Sequence, residues 1–393
     1  MSVVTYTLAK CQKCMKCLRV CPVEAITMKD ERVRINKSRC INCGKCIDSC
    51  VHQGLQAKGS TLAELEYYDL KIALVPSALL AAASTVSQIE ELFGTIKSLG
   101  FDEVVDLSPY DGAIANELYG MIADQKEPYL ISSFCPVVNR LIEVKYPMLL
   151  EYMVPPYRSA ELASRRIREE TAKLNQKVGI FLLCECIAKL PTSKYPYGDT
   201  SSEIDHALSI VDLFPRISKE MGNHRDHVDP SPDGLKLASS AHFTAKGYES
   251  HILKADGLEK VQLALDLAEF GQLKGRHYLH LANCINGCVG GNLLWGNPFE
   301  ATQHVSEHLK TVRGTNAQVV FEASEESLDE VNERKSIQER ILEYARVNAQ
   351  LEQLPGYDCG ACGFASCRMM AEEIAAGRAT LENCRIRNHE VKS

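Results

Sequence analysis

Long apolar runs are missing from this 393-residue chain. No stretch approaches the ~18 apolar residues that a membrane-crossing helix requires, so no span is expected. The start, MSVVTYTLAK, lacks the apolar centre of a signal peptide, which argues against secretion. Basic charge is not in excess either. A formal net charge of −7 gives no reason to expect a nucleic-acid partner. The rest of the composition is ordinary for a globular protein, with 45% hydrophobic and 24% charged residues. The length allows two or three domains.

What the chain has in abundance is cysteine, seventeen in all. A small secreted domain with so many would be held by disulfides. A long chain with C-x-x-C spacings points instead to reduced thiolate ligands and a cytoplasmic setting. All seventeen fall into local groups, and sixteen match iron–sulfur spacings. A 4Fe–4S cubane takes four thiolates, so sixteen ligands suffice for four cubanes. Cys184 is the remaining thiol.

Three blocks follow from the patterning, bounded at 1–59, 60–345 and 346–393. The first and last are small and cysteine-rich. The middle block alternates apolar strand-like runs with amphipathic helical ones, which predicts α/β architecture with parallel sheets. The strand candidates are KIALVPS (71–77), DEVVDLS (102–108), PYLISS (128–133), VGIFLLC (178–184) and HYLHLAN (277–283). Helices are expected at 87–99, 112–124 and 159–174. Cysteine motifs follow strand ends at 135, 184–186 and 284, where parallel-sheet folds bind ligands. The segment 322–353 reads as a charged helical connector, and 220–250 as a loop insertion.

The run CQKCMKCLRVCP (11–22) is C-x2-C-x2-C-x3-C-P, and residues 40–50 repeat it without the proline. In two-cluster ferredoxins the fourth cysteine of each run serves the other cluster. One cluster is therefore expected on Cys11, Cys14, Cys17 and Cys50, and another on Cys40, Cys43, Cys46 and Cys21. The alternative is zinc, whose sites take cysteine pairs rather than this quartet. At the other end, Cys359, Cys362, Cys367 and Cys384 form C-x2-C-x4-C-x16-C. With the helical stretch MAEEIAAGRATLENC, this resembles the small 4Fe–4S domain of Rnf-complex and corrinoid iron–sulfur proteins. Zinc is the alternative here too.

The middle motifs SSFCPVV, LLCECIAK and NCINGCVGG resemble the three signatures of the FeFe-hydrogenase family. The likeness spans about residues 1–310. It is closest to the divergent, sensory-type members, which join a two-cluster ferredoxin-like domain, an H-cluster domain of two parallel-sheet lobes and a small C-terminal iron–sulfur domain. The resemblance implies a cubane on Cys135, Cys186, Cys284 and Cys288. Cys288 would also bridge to a two-iron subsite with CO, cyanide and azadithiolate, giving an H-cluster beside three accessory 4Fe–4S clusters. Lys189 matches the family's cyanide-contacting lysine, and Pro76 and Ser77 its backbone turn at the other cyanide. EIDHAL (203–208) resembles the stretch before the family's active-site helix. The implied reaction is 2H⁺ + 2e⁻ ⇌ H2. Implied partners are ferredoxin or a signalling protein, and maturation enzymes; the implied setting is anaerobic.

Departures from the family concern proton transfer. Phe134 stands where the family has the relay cysteine, and Val154 falls near its relay serine. Of two relay glutamates, Glu117 matches one and Gly120 replaces the other. Phe and Val carry no exchangeable proton, so slow turnover is expected. Cys184 takes the place of a methionine near the two-iron site. It could donate protons, ligate iron in an inactive state, or be a small buried hydrophobe. Ala282 and Asn283 replace a methionine and a small residue, Glu161 falls where the family often has glutamine, and Thr192 where it has a glutamate. The glycine run after Cys288 is shortened. His52 and His280 lie near motifs and read as satisfied polar residues; Trp295 is expected to pack over the third motif. These features suggest a slow hydrogenase acting as an H2 or redox sensor, with any output domain on a separate protein and the C-terminal block docked on the catalytic block. An ordinary ferredoxin-linked hydrogenase using Cys184, and a non-enzymatic electron carrier, are the alternatives.

Overall fold

Ile72, Ala73, Leu74 and Val75 are all fully buried, as expected for a parallel strand covered on both faces. They belong to the Leu70–Val75 strand at the centre of a four-stranded parallel sheet in the computed structural model, which describes residues 2–125, 128–194, 201–321 and 337–390. The sheet order is Glu103–Asp106, Leu70–Val75, Val178–Cys184, His206–Ser209. A second parallel sheet runs Ile252–Asp256, Tyr278–Ala282, Leu130–Ile131. Both lie in one compact unit, Lys58–Asp329, so the two parallel-sheet lobes expected of the middle block are present.

The helices form where periodicity placed them. In Val86–Ser98, Ile89, Leu92, Phe93 and Ile96 are buried at helical spacing, and the Thr85 hydroxyl accepts from the Gln88 amide at 3.2 Å. The helix expected at 112–124 begins earlier, at Ser108, because Pro109 sits in its first turn and Asp106 holds Ser108 through its amide (2.8 Å) and hydroxyl (2.6 Å). The strands His206–Ser209 and Ile252–Asp256 were not among the expected ones. Each is short and mixed in polarity, and parallel pairing to a more apolar neighbour makes it a strand.

Residues 220–250 are not a loop insertion. They contain the helix Pro232–Ala238, packed on Ser108–Asp124. Gly234 permits the approach: a Cβ there would lie 2.0 Å from the Ser108 carbonyl oxygen. Leu235 and Phe243 are wholly buried. Polar residues surround these few apolar anchors, which hides the helical period.

The second unit joins Met1–Ala57 with Glu330–Ser393. It holds two antiparallel pairs, Val4–Tyr6 with Leu55–Ala57 and Ile26–Lys29 with Arg32–Ile35. The twin cysteine runs repeat one backbone path. Lys13 and Met15 in the first loop, and Asn42 and Gly44 at the matching places in the second, all have positive φ. Such alternation turns successive amides inward, forming a concavity suited to anionic sulfur.

The C-terminal block was expected to dock on the catalytic block. Within its own unit it contacts the ferredoxin-like block. Met28 donates its amide to the Gly363 carbonyl at 2.8 Å, and Arg39 pairs with Glu372 at 2.8 Å. The connector read at 322–353 is helical over Ile337–Leu351; its part before 337 lies outside the described residues. Gly363 has φ +86°, and a Cβ there would sit 2.0 Å from the Met28 carbonyl oxygen. Gly363→Ala is therefore expected to cost about 2 kcal/mol or more and to speed hydrogen exchange of the Met28 amide. Unchanged protection of that amide would contradict this docking. No helix among the described residues is long and apolar enough to cross a membrane.

Candidate active site

Three strands deliver the middle cysteines. After Leu130–Ile131 the chain places Cys135 at the N-cap of the helix Pro136–Lys145. After Val178–Cys184 it places Cys186 at the start of a short turn, Ile187–Lys189. After Tyr278–Ala282 come Cys284 and Cys288. Two sheets thus bring four thiols to one region, where Cys186 and Cys288 each feel the charges of other members of the set. Burial is the main influence on all four and raises every one, Cys284 to about 12. Backbone amides of Val137, Val138 and Asn283 oppose it at Cys135, as they would favour a thiolate.

The third motif is braced to the second. Leu293 donates its amide to the Glu185 carbonyl at 3.0 Å, and Asn292 accepts from the Ile187 amide at 3.0 Å. A Cβ on Gly291 would lie 2.3 Å from that same Glu185 carbonyl oxygen, so only glycine allows the path. The shortened glycine run therefore still contains the residue that the loop requires.

Beside the thiols lies a cavity of about 60 Å³, partly open to solvent. Cys288 is the one member of the quartet among its described wall residues, and Lys189 lines it too. Pro76 and Ser77 form another part of the wall, and Phe134 closes one side. Asp111, Ser159, Glu161 and Glu185 supply its acidic and hydroxyl groups. The Lys189 ammonium bonds the Glu185 carboxylate, which is 1% exposed. Burial is the largest single influence on Lys189 and works against its charge, but Glu185, Cys288, Cys186 and Asp111 together outweigh it and hold the ammonium well above the ordinary lysine range. Ser77 donates to Asp111, and Ser159 bonds it as well. Burial raises the Asp111 carboxyl despite the charge of Lys189.

Other expected residues lie elsewhere. Cys184 is wholly buried; its thiol faces the Leu182 carbonyl at 3.8 Å, and it is not among the described wall residues. Burial raises it strongly. Glu117 is half-buried on the Ser108–Asp124 helix, near enough to influence Tyr157, which does line the cavity. Val154 is buried in apolar packing and Gly120 is exposed. Trp295 packs on Phe214, with ring centroids 4.9 Å apart. Thr192 lines the cavity.

His280 is not the satisfied polar residue expected. Its ring lies between Phe134 (4.6 Å) and Phe243 (4.1 Å), both stacked. Neither ring nitrogen has a partner among the described residues, and burial lowers the imidazole to about 3. Sequence reasoning passed over Asp111 and Glu185 altogether. An Asp-Gly pair at a helix start and a Glu between two cysteines carry no sign of burial.

In the other unit, one cavity is walled by Cys11, Cys14, Cys17 and Cys50, with exposed His52 at its rim. A second is walled by Cys21, Cys40, Cys43 and Cys46. These are the two crossed quartets. Amides of Ala25 and Gly54 donate to the Cys21 and Cys50 sulfurs, each at 3.2 Å. Cys362, Cys367 and Cys384 share an apolar cluster, with Cys359 exposed and close enough to influence Cys362. No group of three or more His, Cys, Asp or Glu among the described residues is gathered for a single metal ion. Cubane thiolates bind separate irons, so they need not converge on a point. The donor chemistry of all four quartets, grouped free thiols with amide donors at several sulfurs, fits iron–sulfur cofactors.

Residues 72–241 match the family "Iron only hydrogenase large subunit, C-terminal domain". Residues 4–51 match the "4Fe-4S dicluster domain", and 354–386 match an Fe-S cluster family. Among curated proteins, Hydrogenase-4 component A of Escherichia coli is 43% identical over 44 residues, covering 11% of this chain and 22% of that protein. NADH-quinone oxidoreductase subunit I 2 of Geobacter metallireducens is 35% identical over 66 residues, covering 14% of this chain and 50% of that protein. This chain thus spans between about a fifth and a half of these relatives' lengths. Among solved structures, a variant of FeFe-hydrogenase HydA1 from Chlamydomonas reinhardtii has 15% identity and a TM-score of 0.45, covering 74% of this chain and 93% of that one. HydA(deltaEFG), solved for stepwise H-cluster assembly, has 15% identity and a TM-score of 0.46, covering 64% and 89%.

Proposed function

We propose, for a chain whose residues 72–241 belong to the iron-only hydrogenase large-subunit family, that it interconverts H2 with protons and electrons slowly and serves as an H2 or redox sensor. The observation that carries this is the cavity in which Cys288 and Lys189 meet Pro76 and Ser77 while Phe134 closes one wall. Cys135, Cys186, Cys284 and Cys288 would hold the cubane, and Cys288 would extend it toward the cavity. Bound there, a two-iron group with CO, cyanide and azadithiolate would supply the chemistry of H2 cleavage. Lys189, anchored by Glu185, offers a fixed cation to an anionic ligand, and Ser77 and the 76–77 turn hold the opposite side. Phe134 keeps that side apolar and provides no proton.

In this reading residues 1–59 and 346–393 carry three accessory 4Fe–4S clusters, and 60–345 carry the H-cluster. Ferredoxin or a signalling protein in the cytoplasm would exchange electrons with them, and maturation enzymes would install the two-iron group. Glu117, near Tyr157, is a remaining candidate for the outer proton path.

The test is infrared spectroscopy of the matured protein together with turnover. Bands of CO and cyanide are expected, with slow H2 conversion. Cys184→Ala is expected to leave turnover within a few-fold. A loss of about 10²–10⁴-fold in that variant would favour the ordinary ferredoxin-linked hydrogenase instead. Absence of CO and cyanide bands would leave only cubanes and a non-enzymatic electron carrier.

A further inference from the structure

Three carboxylates, Asp111, Glu161 and Glu185, stand in the cavity wall. Asp111 receives Ser77 and Ser159 and lies close enough to feel the charges of Lys189, Glu185 and Asp106. Glu161 is 2% exposed, yet it lines the same cavity. Its carboxylate accepts from the Ser202 hydroxyl at 2.6 Å and from the Glu203 amide at 3.3 Å. Ser202 is half-buried and Glu203 exposed, so Glu161 joins the cavity to the protein surface. Glu185 presents a buried oxygen, Oε2, that has no partner among the described residues. A wall with such an orphan acceptor awaits a donor from whatever fills the cavity.

We propose that Asp111 is the proton-carrying residue of this cavity, supplied from solvent along Ser202 and Glu161. This rests on the hydrogenase reading and gives the slow reaction a route that bypasses Phe134. Inward transfer breaks the O–H bond of a neutral Glu161 carboxyl and leaves its carboxylate. The cavity has room for water beside the carboxylates and hydroxyls of its wall, and that water relays the proton. The transfer ends as a new O–H bond forms on Asp111. Ser202 passes a proton from solvent back to Glu161, so both start positions are restored and no electrons move. Burial favours the neutral Asp111 carboxyl, which suits a group that must hold a proton between deliveries. Ser77 and Ser159 position it.

The full chain tests this in two forms. Without the two-iron group, infrared difference spectra in H2O and D2O report neutral carboxyls directly. A carboxyl C=O band from Asp111 that shifts in D2O is expected in the unaltered protein, and this component is expected to disappear in Asp111→Asn while any from Glu161 and Asp106 stays. In Glu161→Gln the Asp111 band is expected to remain but to exchange its proton at least about 10-fold more slowly, since its supply is cut. With the two-iron group installed, Asp111→Asn is expected to lower H2/D2 exchange by about 10²–10⁴-fold, and Asp111→Glu to restore most of it. CO and cyanide bands in each variant report an intact site. A carboxyl spectrum unchanged by Asp111→Asn, or unreduced exchange in that variant with the CO and cyanide bands intact, would overturn the proposal. If the unaltered protein never shows CO and cyanide bands, the hydrogenase reading fails, while the carboxyl spectra still decide whether Asp111 holds a proton supplied through Glu161.

Discussion

Lys189→Ala is expected to destabilise the middle unit by about 3–5 kcal/mol, the usual cost of stranding a buried charge. The partner left behind is Glu185, which is 1% exposed and already has one oxygen without a bond. In the unaltered protein the ammonium bonds the other oxygen. Water can reach the lysine from the cavity far more easily than it can reach the glutamate, so removing the lysine strands the less solvated member. Combining Lys189→Met with Glu185→Gln is expected to recover most of the loss, because it leaves two neutral groups in place of one unpaired charge. The shift in denaturation midpoint, compared across the single and double variants, measures both effects. A single-variant loss under about 1 kcal/mol would mean that Glu185 finds another donor.

His280→Phe is expected to flatten the acid side of the stability profile. The native imidazole is lowered to about 3, whereas an unfolded histidine titrates near ~6.5. Between these values the unfolded chain takes up a proton that the folded chain refuses. The contribution of neutral His280 is therefore complete above pH ~6.5 and is lost as pH falls toward 3, by on the order of 3–5 kcal/mol. Phenylalanine keeps the stack between Phe134 and Phe243 and carries no proton. It also removes two unbonded ring nitrogens, so stability at neutral pH should hold or rise. Thermal unfolding of both proteins at several pH values checks this. Parallel profiles would show that His280 is charged in the fold, and would require a partner for it.

Legibility in the sequence follows distance along the chain. The twin cysteine runs could be read because each loop is built within a few residues, and the same offsets take positive φ in both: Lys13 and Met15, Asn42 and Gly44. The central strands could be read because burial on both faces makes them continuous apolar runs, as in Leu70–Val75 and Val178–Cys184. The edge strands His206–Ser209 and Ile252–Asp256 could not, since each pairs with only one neighbour and keeps polar residues. The helix Pro232–Ala238 escaped for a related reason: its seven residues are too few to display a period.

By itself, the sequence showed the parallel α/β character of the middle block and raised the expectation of four cysteine quartets, with a crossed partition of the first eight. Where the Cys184 and Asp111 side chains lie was decided only by tertiary structure. The odd thiol adjoins a ligand in sequence, yet the end of its strand turns it toward the Leu182 carbonyl. Asp111 adjoins no motif, yet packing sets it in the cavity wall with Lys189. Spacing fixes a backbone path over a few bonds, whereas a cavity wall is assembled from the ends of separate strands and helices. Only their packing decides which side chains face one another and which lose their water.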